Sequence, residues 1–188
     1  MVISQTKTLT DAPAQGVSVV VDTKTQTLSL YQDEKAGKLA VRPDGTPAVF
    51  LVSTAKNGTG QLENTGCTPL GKHVIAQKIG DDMPVGAVFV ARQFTGEVYD
   101  DELAAQFAER DWILSRILWL KGVEAGKNLG QTADGACCDT FARYIYIHGT
   151  PDTEPMGEPK SHGCVRMRND ELVWLYEQVA VGTPVRIV

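Results

Sequence analysis

Cysteine, net charge of either sign and long apolar runs are all scarce in this sequence, and each shortage removes a class of protein. The 188 residues hold four cysteines, Cys67, Cys137, Cys138 and Cys164, too few for a disulfide scaffold. A bridge between the adjacent Cys137 and Cys138 would be strained, so reduced thiols are expected. With 18 Lys+Arg against 23 Asp+Glu and a formal net charge of −5, no basic stripe exists. Nucleic acid and anionic membrane surfaces, which need one to release counterions, are therefore not expected as partners. No apolar run approaches the ~18 residues of a membrane span. Met1–Thr8 carries neither a basic n-region nor an apolar h-region. A chain starting there is expected in the cytoplasm, and a periplasmic one would require a leader already removed. What remains, 43% hydrophobic and 22% charged residues, is ordinary for one globular domain with a sizeable core.

Residues 4–16 are polar, with Pro13 and Gly16, and residues 1–16 read as a flexible N-terminal arm before a domain spanning 17–188. From Val17 the pattern is that of a mainly β protein. Val17–Asp22 and Thr27–Tyr31 flank a hairpin turn, and Pro47–Thr54, Lys72–Ile79 and Ala87–Ala91 continue the strand series between Gly, Pro, Asn and Asp breaks. Asp101–Glu109 has helical composition. Trp112–Leu120 fits either state and is read as a strand on its aromatic and β-branched content. Lys121–Asp139 and Thr150–Lys160 read as long loops around a strand at Arg143–Ile147. Asn169 is the expected N-cap of a helix carrying Leu172, Leu175, Tyr176 and Val179, which Gly182-Thr183-Pro184 ends before a last strand at Pro184–Val188. The fold class is mainly β with one or two helices.

Chemistry concentrates in Tyr144-Ile145-Tyr146-Ile147-His148-Gly149-Thr150 and Ser161-His162-Gly163-Cys164-Val165-Arg166-Met167. Two of the three histidines and one cysteine fall here, each histidine beside a glycine and Cys164 directly after one. A free thiol is only ~3% thiolate at pH 7, so a nucleophilic cysteine needs a neighbouring base, and a histidine supplies one. A third group, such as the Gly149 carbonyl, would hold the imidazole in the correct tautomer. Gly163 permits a tight turn that exposes backbone N–H groups near the sulfur, the donors of an oxyanion hole, each of which contributes ~2.7–4 kcal/mol in the transition state. A zinc site built from His148, His162 and Cys164 lacks paired-cysteine spacing, so no metal and no cofactor is expected. Cys67, Cys137 and Cys138 read as small core residues, and His73 as structural or exposed.

These strings resemble the signature of the L,D-transpeptidase catalytic domain family (the YkuD type). Val19-Val20-Val21-Asp22 with Gln26 and Leu28-Ser29-Leu30-Tyr31 is similar to its opening strand pair, and Val52-Ser53-Thr54 with Gly66-Cys67-Thr68-Pro69-Leu70-Gly71 to its second motif. The resemblance implies a β-sandwich-like catalytic domain with Cys164 as nucleophile, His148 as base and the Gly149 carbonyl as its orienting group. It implies an oxyanion hole from the backbone of His162, Gly163 and Cys164. Arg166 would sit beneath the site, bind a substrate carboxylate or anchor the loop as an ion pair. Ser161 and Tyr146 complete the substrate-binding candidates, although Tyr146 also reads as packing. The implied reaction is attack of Cys164 on a peptidoglycan tetrapeptide stem with release of terminal D-Ala. Water as acceptor makes an L,D-carboxypeptidase of peptidoglycan recycling, the reading favoured by the opening residues. A stem amine makes an envelope cross-linking transpeptidase, and a silent muropeptide-binding module is the non-enzymatic alternative. Carbapenems are the implied covalent inhibitors. Arg166, Arg168 and Lys160 are the cations nearest in sequence for an anionic stem peptide.

Overall fold

A computed structural model describes residues 16–188, so the arm expected over residues 1–16 lies, apart from Gly16, outside the described residues. The fold is mainly β, in chain order β1 (Ser18–Asp22), β2 (Thr27–Asp33), β3 (Lys38–Leu39), β4 (Val49–Leu51), β5 (Gly71–Ile79), β6 (Ala87–Val90), β7 (Gln93–Val98), α1 (Asp101–Gln106), β8 (Ile113–Gly122), β9 (Tyr146–Gly149), β10 (Val165–Met167), α2 (Asn169–Gln178) and β11 (Pro184–Ile187). The strands form one mixed sheet with the path β10-β9-β8-β5-β11-β1-β2-β3, β4 joining at β2 and the β6–β7 hairpin at β8. Just past β4, Ser53 bridges to Arg166 of β10, with Ser53 N–H donating to the Arg166 carbonyl at 3.0 Å and the reverse bond at 2.9 Å. The β10 end of the sheet thus meets the segment after β4 and closes over the main core, which gives the domain its sandwich-like character.

The strand at β8 resists periodicity because both of its faces are apolar, as in strands covered on two sides. Leu118 and Leu120 join the main core with Phe50, Ile147, Leu172 and Leu175. Ile117 and Trp119, pointing the opposite way, join Tyr146 and Phe89 in a second cluster, against which Cys164 packs. Alternation then assigns Tyr146 and His148, two residues apart on β9, to that second face.

Two local expectations are corrected. The strand expected at Arg143–Ile147 begins only at Tyr146, because Phe141–Tyr144 form a turn capped by Asp139, whose Oδ1 accepts from Phe141 and Ala142 N–H at 3.0 Å each. Asn169 is not the N-cap of α2. That place belongs to Arg168, with no side-chain cap, since the Asn169 amide is engaged elsewhere, donating to the Thr150 carbonyl at 2.9 Å and accepting from Ser115 Oγ at 2.6 Å. The strands β3, β7 and β10 went unread in the sequence: β3 and β10 are two and three residues long, and β7 is polar and exposed.

Candidate active site

The β9–β10 pair is parallel, with Arg166 opposite His148 and Met167 opposite Gly149. This register brings together two segments 18 residues apart and sets Cys164, immediately before β10, beside Tyr146. The Tyr146 N–H donates to Cys164 Sγ at 3.3 Å, and the thiol donates to the Tyr144 carbonyl at 3.5 Å. Burial pushes the Cys164 thiol up to about 12, the Tyr146 N–H only partly opposing it. His148 is 3% exposed, and burial likewise pushes its pKa down, against the opposing pull of the Gly149 carbonyl. Its Nδ1 lies 2.8 Å from that carbonyl. A neutral ring donates there, which leaves Nε2 with a lone pair. Thiol and imidazole are both uncharged at rest.

The chain enters the thiol through a turn that needs glycine. Gly163 has φ +135°, and a Cβ there would stand 3.2 Å from Ile145 Cδ1. Ser161 Oγ donates to the Cys164 carbonyl at 2.6 Å and accepts from Gly163 N–H at 3.3 Å. Thr68 Oγ1 donates to the Gly163 carbonyl at 2.9 Å. Ser161 is buried, so it braces the turn instead of facing a ligand. Gly149 is required for another reason: a Cβ would collide with Asn169 Oδ1 and lie 2.6 Å from the Leu114 carbonyl. Asn169 thereby fixes the end of β9 next to the carbonyl that holds His148.

Arg166 is also fully engaged. Its side chain is 7% exposed, Nη2 lies 2.7 Å from Asp111 Oδ1 and Nη1 2.9 Å from Glu154 Oε2. The surroundings of Arg166 are those of the ion-paired anchor, and they do not offer a substrate the free guanidinium that a carboxylate-binding role needs. Arg168 and Lys160 pair with Asp152 and Glu158 at 3.7 and 3.4 Å. The His162 side chain is 58% exposed, and its Nδ1 meets Asp111 Oδ2 at 3.0 Å. Tyr146 packs edge-on against Trp119 and extends its hydroxyl to Arg92. A cleft of about 400 Å³ lies between the Glu63–Gly66 loop and the segment carrying Arg143, Tyr144 and Ile145, with His162, two residues before Cys164, in its lining.

Asp111 and Arg92 were not found from sequence. Asp111 joins His162 and Arg166 and is electrostatically coupled to His148; burial works against its ionisation, but Arg166 and His162 hold its carboxyl below the usual range. It lies 51 residues before His162, in an acidic and basic stretch with no motif.

The family model of the L,D-transpeptidase catalytic domain (YkuD) matches residues 16–187. Over 48 residues, 26% of this chain, the sequence is 48% identical to the putative L,D-transpeptidase YqjB of Bacillus subtilis, covering 27% of that protein. It is 46% identical over 48 residues to the probable L,D-transpeptidase YbiS of Escherichia coli, covering 26% of this chain and 16% of that protein. Among solved structures, L,D-transpeptidase 3 of Mycobacterium tuberculosis in complex with a faropenem-derived adduct has a TM-score of 0.52 at 18% identity, over 92% of this chain and 60% of that one. The chain covers less than two thirds of each of these proteins, and the last comparison concerns the fold alone.

Proposed function

The chain belongs to the L,D-transpeptidase catalytic domain family, and from that premise we propose that it performs cysteine-dependent acyl transfer on peptidoglycan stem peptides, with Cys164 as nucleophile and His148 as base. The observation that carries the reading is the pairing of β9 with β10, which sets a thiol clamped by Tyr146 and Tyr144 on the sheet face that carries His148. With the thiol pushed up to about 12 and the imidazole pushed down, a resting thiolate–imidazolium pair is unfavourable. The proton therefore moves as the bond forms. Sγ attacks the carbonyl carbon of the third stem residue while His148 Nε2 takes the thiol proton. The backbone N–H groups of His162 and Cys164 receive the developing oxyanion, the Gly163 N–H being engaged by Ser161 Oγ. Collapse expels the terminal D-Ala amine, which takes the proton from His148, and leaves a thioester on Cys164. Water, deprotonated by His148, then releases the tripeptide and restores the thiol. The Gly149 carbonyl keeps the imidazole in one tautomer throughout.

Hydrolysis is the acceptor step we favour, an L,D-carboxypeptidase acting on soluble muropeptides of recycling. Water as acceptor needs no second peptide-binding site beside the cleft of about 400 Å³ that His162 lines. Cross-linking, with a stem amine in place of water, is the second reading, and the names of the Bacillus and Escherichia relatives favour it. Incubation with a disaccharide-tetrapeptide followed by mass spectrometry separates the two: tripeptide plus D-Ala supports hydrolysis, and predominant cross-linked dimer overturns it. Carbapenem-type β-lactams are the expected covalent inhibitors, and the adduct that faropenem, a penem of the same strained bicyclic type, forms with the mycobacterial enzyme supports that expectation. Imipenem should add its mass to the wild-type chain and not to Cys164→Ala. Labelling of both would remove Cys164 from the role. Among the described residues no helix is long and apolar enough to cross a membrane.

A further inference from the structure

The eight arginines of the chain divide seven to one. Arg42, Arg110, Arg166, Arg168 and Arg186 face carboxylates, while Arg116 and Arg143 donate to backbone carbonyls. Arg92 does neither among the described residues. Its guanidinium lies 4.8 Å from the Trp119 ring centroid and 4.7 Å from that of Tyr144, and Nη1 donates to the Tyr146 hydroxyl at 3.3 Å. A guanidinium carries five N–H donors, and aromatic faces hold the cation without occupying them in-plane. The cradle consists of the two tyrosines whose backbones clamp the thiol, Tyr144 by its carbonyl and Tyr146 by its N–H. Tyr146 also has both Arg92 and Cys164 as electrostatic neighbours.

The backbone beneath Arg92 is unusual in the same direction. Val90 pairs with Gln93, so Ala91 and Arg92 form a two-residue hairpin turn, with φ +47° and +68°. Such a turn is least strained with Asn-Gly, and two residues bearing larger side chains persist in it only where surrounding contacts hold them. The aromatic cradle provides those contacts.

We propose that Arg92 is the substrate-carboxylate receptor of this site, binding a free carboxylate of the stem peptide through the N–H groups that Tyr146 leaves unoccupied while the aromatic cradle fixes its position. The inference rests on the acyl-transfer reading above. The cations nearest Cys164 in sequence, Arg166, Arg168 and Lys160, already carry carboxylates, and the Arg143 guanidinium is held by the Gly60, Gln61 and Cys67 carbonyls. Two carboxylates share the required chemistry, that of the terminal D-Ala and a side-chain carboxylate of the third residue. Planar two-point recognition favours arginine over lysine for either.

The test is calorimetric binding of three tetrapeptides to Cys164→Ala and to Cys164→Ala combined with Arg92→Gln or Arg92→Lys. One peptide has all carboxylates free, one a C-terminal amide and one a third-residue side-chain amide. Arg92→Gln should weaken the free peptide about 10- to 100-fold, as expected for a charge-assisted bond. Arg92→Lys should recover part of the loss. The loss should vanish on one amidated peptide, and which one identifies the carboxylate. Equal loss on all three peptides, or none, overturns the proposal and leaves Arg92 a brace of the hairpin. Melting temperatures report whether the variants fold, and Arg92→Lys keeps the comparison available if Arg92→Gln does not. Turnover by Cys164→Ala would sink the nucleophile assignment without altering the binding result.

Discussion

At the start of β5, His73 is 2% exposed, with Nδ1 3.0 Å from the Gly71 carbonyl; in β9, His148 is 3% exposed, with Nδ1 2.8 Å from the Gly149 carbonyl. Burial pushes both below the ordinary histidine value, His73 to about 4. Each region also contains a thiol bonded to a backbone carbonyl, Cys138 to Gly130 at 3.5 Å and Cys164 to Tyr144 at 3.5 Å. The difference lies in the second nitrogen. His73 Nε2 meets Thr140 Oγ1 at 3.1 Å, whereas His148 Nε2 has no hydrogen-bond partner among the described residues. A buried neutral imidazole held by a carbonyl on one side is thus saturated when its other nitrogen is also bonded, as in His73, and keeps a lone pair to use when that nitrogen is open, as in His148.

The sharpest way to break that contrast is at sulfur. Cys164→Ala should lower kcat/KM by at least ~10⁴-fold, while Cys138→Ala stays within about threefold; comparable losses would erase the distinction. At the imidazoles, His148→Gln should cost ~10²–10⁴-fold in kcat, and His73→Gln little, measured as D-Ala release. The pH dependence separates them further. Because His148 must be neutral to accept the thiol proton and its pKa is lowered, kcat/KM should rise about tenfold per unit on the acid side, levelling off below the usual histidine value of about 6.5. A limb that keeps rising well above neutral pH instead would mean that ionisation of the raised thiol controls the rate. Asp111→Asn should reduce kcat about 5- to 20-fold, with KM less affected, since Asp111 positions Arg166 and His162 beside the site.

The smallest effect on rate concerns His73, and its readout is stability. Between about pH 6.5 and 4 the unfolded chain binds a proton at this position that the folded chain does not, so stability falls as pH falls through that window. The loss should approach ~3 kcal/mol, and His73→Gln should flatten that part of a urea-unfolding profile. An unchanged slope would show that His73 is not its source.

The sequence displayed the chemistry more readily than the placement. Cys164, His148 and the glycines stand in short strings whose residue types state their needs, and amphipathic β2 shows its period, with Leu28 and Leu30 inward. The β8 strand hid its period because Leu118 and Trp119 face two different apolar clusters. Asn169 looked like a cap because Asn before an acidic turn usually is one, but its amide bonds Thr150, 19 residues away, and Ser115, 54 residues away. Arg166 invited a substrate role until Asp111 and Glu154 were seen on it, contacts spanning 55 and 12 residues.

The scarcity of cysteine, of net charge and of long apolar runs, the strand-rich pattern, and the Ser-His-Gly-Cys string with its upstream His-Gly were determined by sequence alone, because composition and local backbone demands are properties of neighbours. Which histidine has an open nitrogen, which arginine is unpaired and which carboxylate binds two functional segments were decided only by tertiary structure. Hydrogen bonds and ion pairs form between whichever groups the closing sheet brings within about 3 Å, and sequence separation carries no record of that.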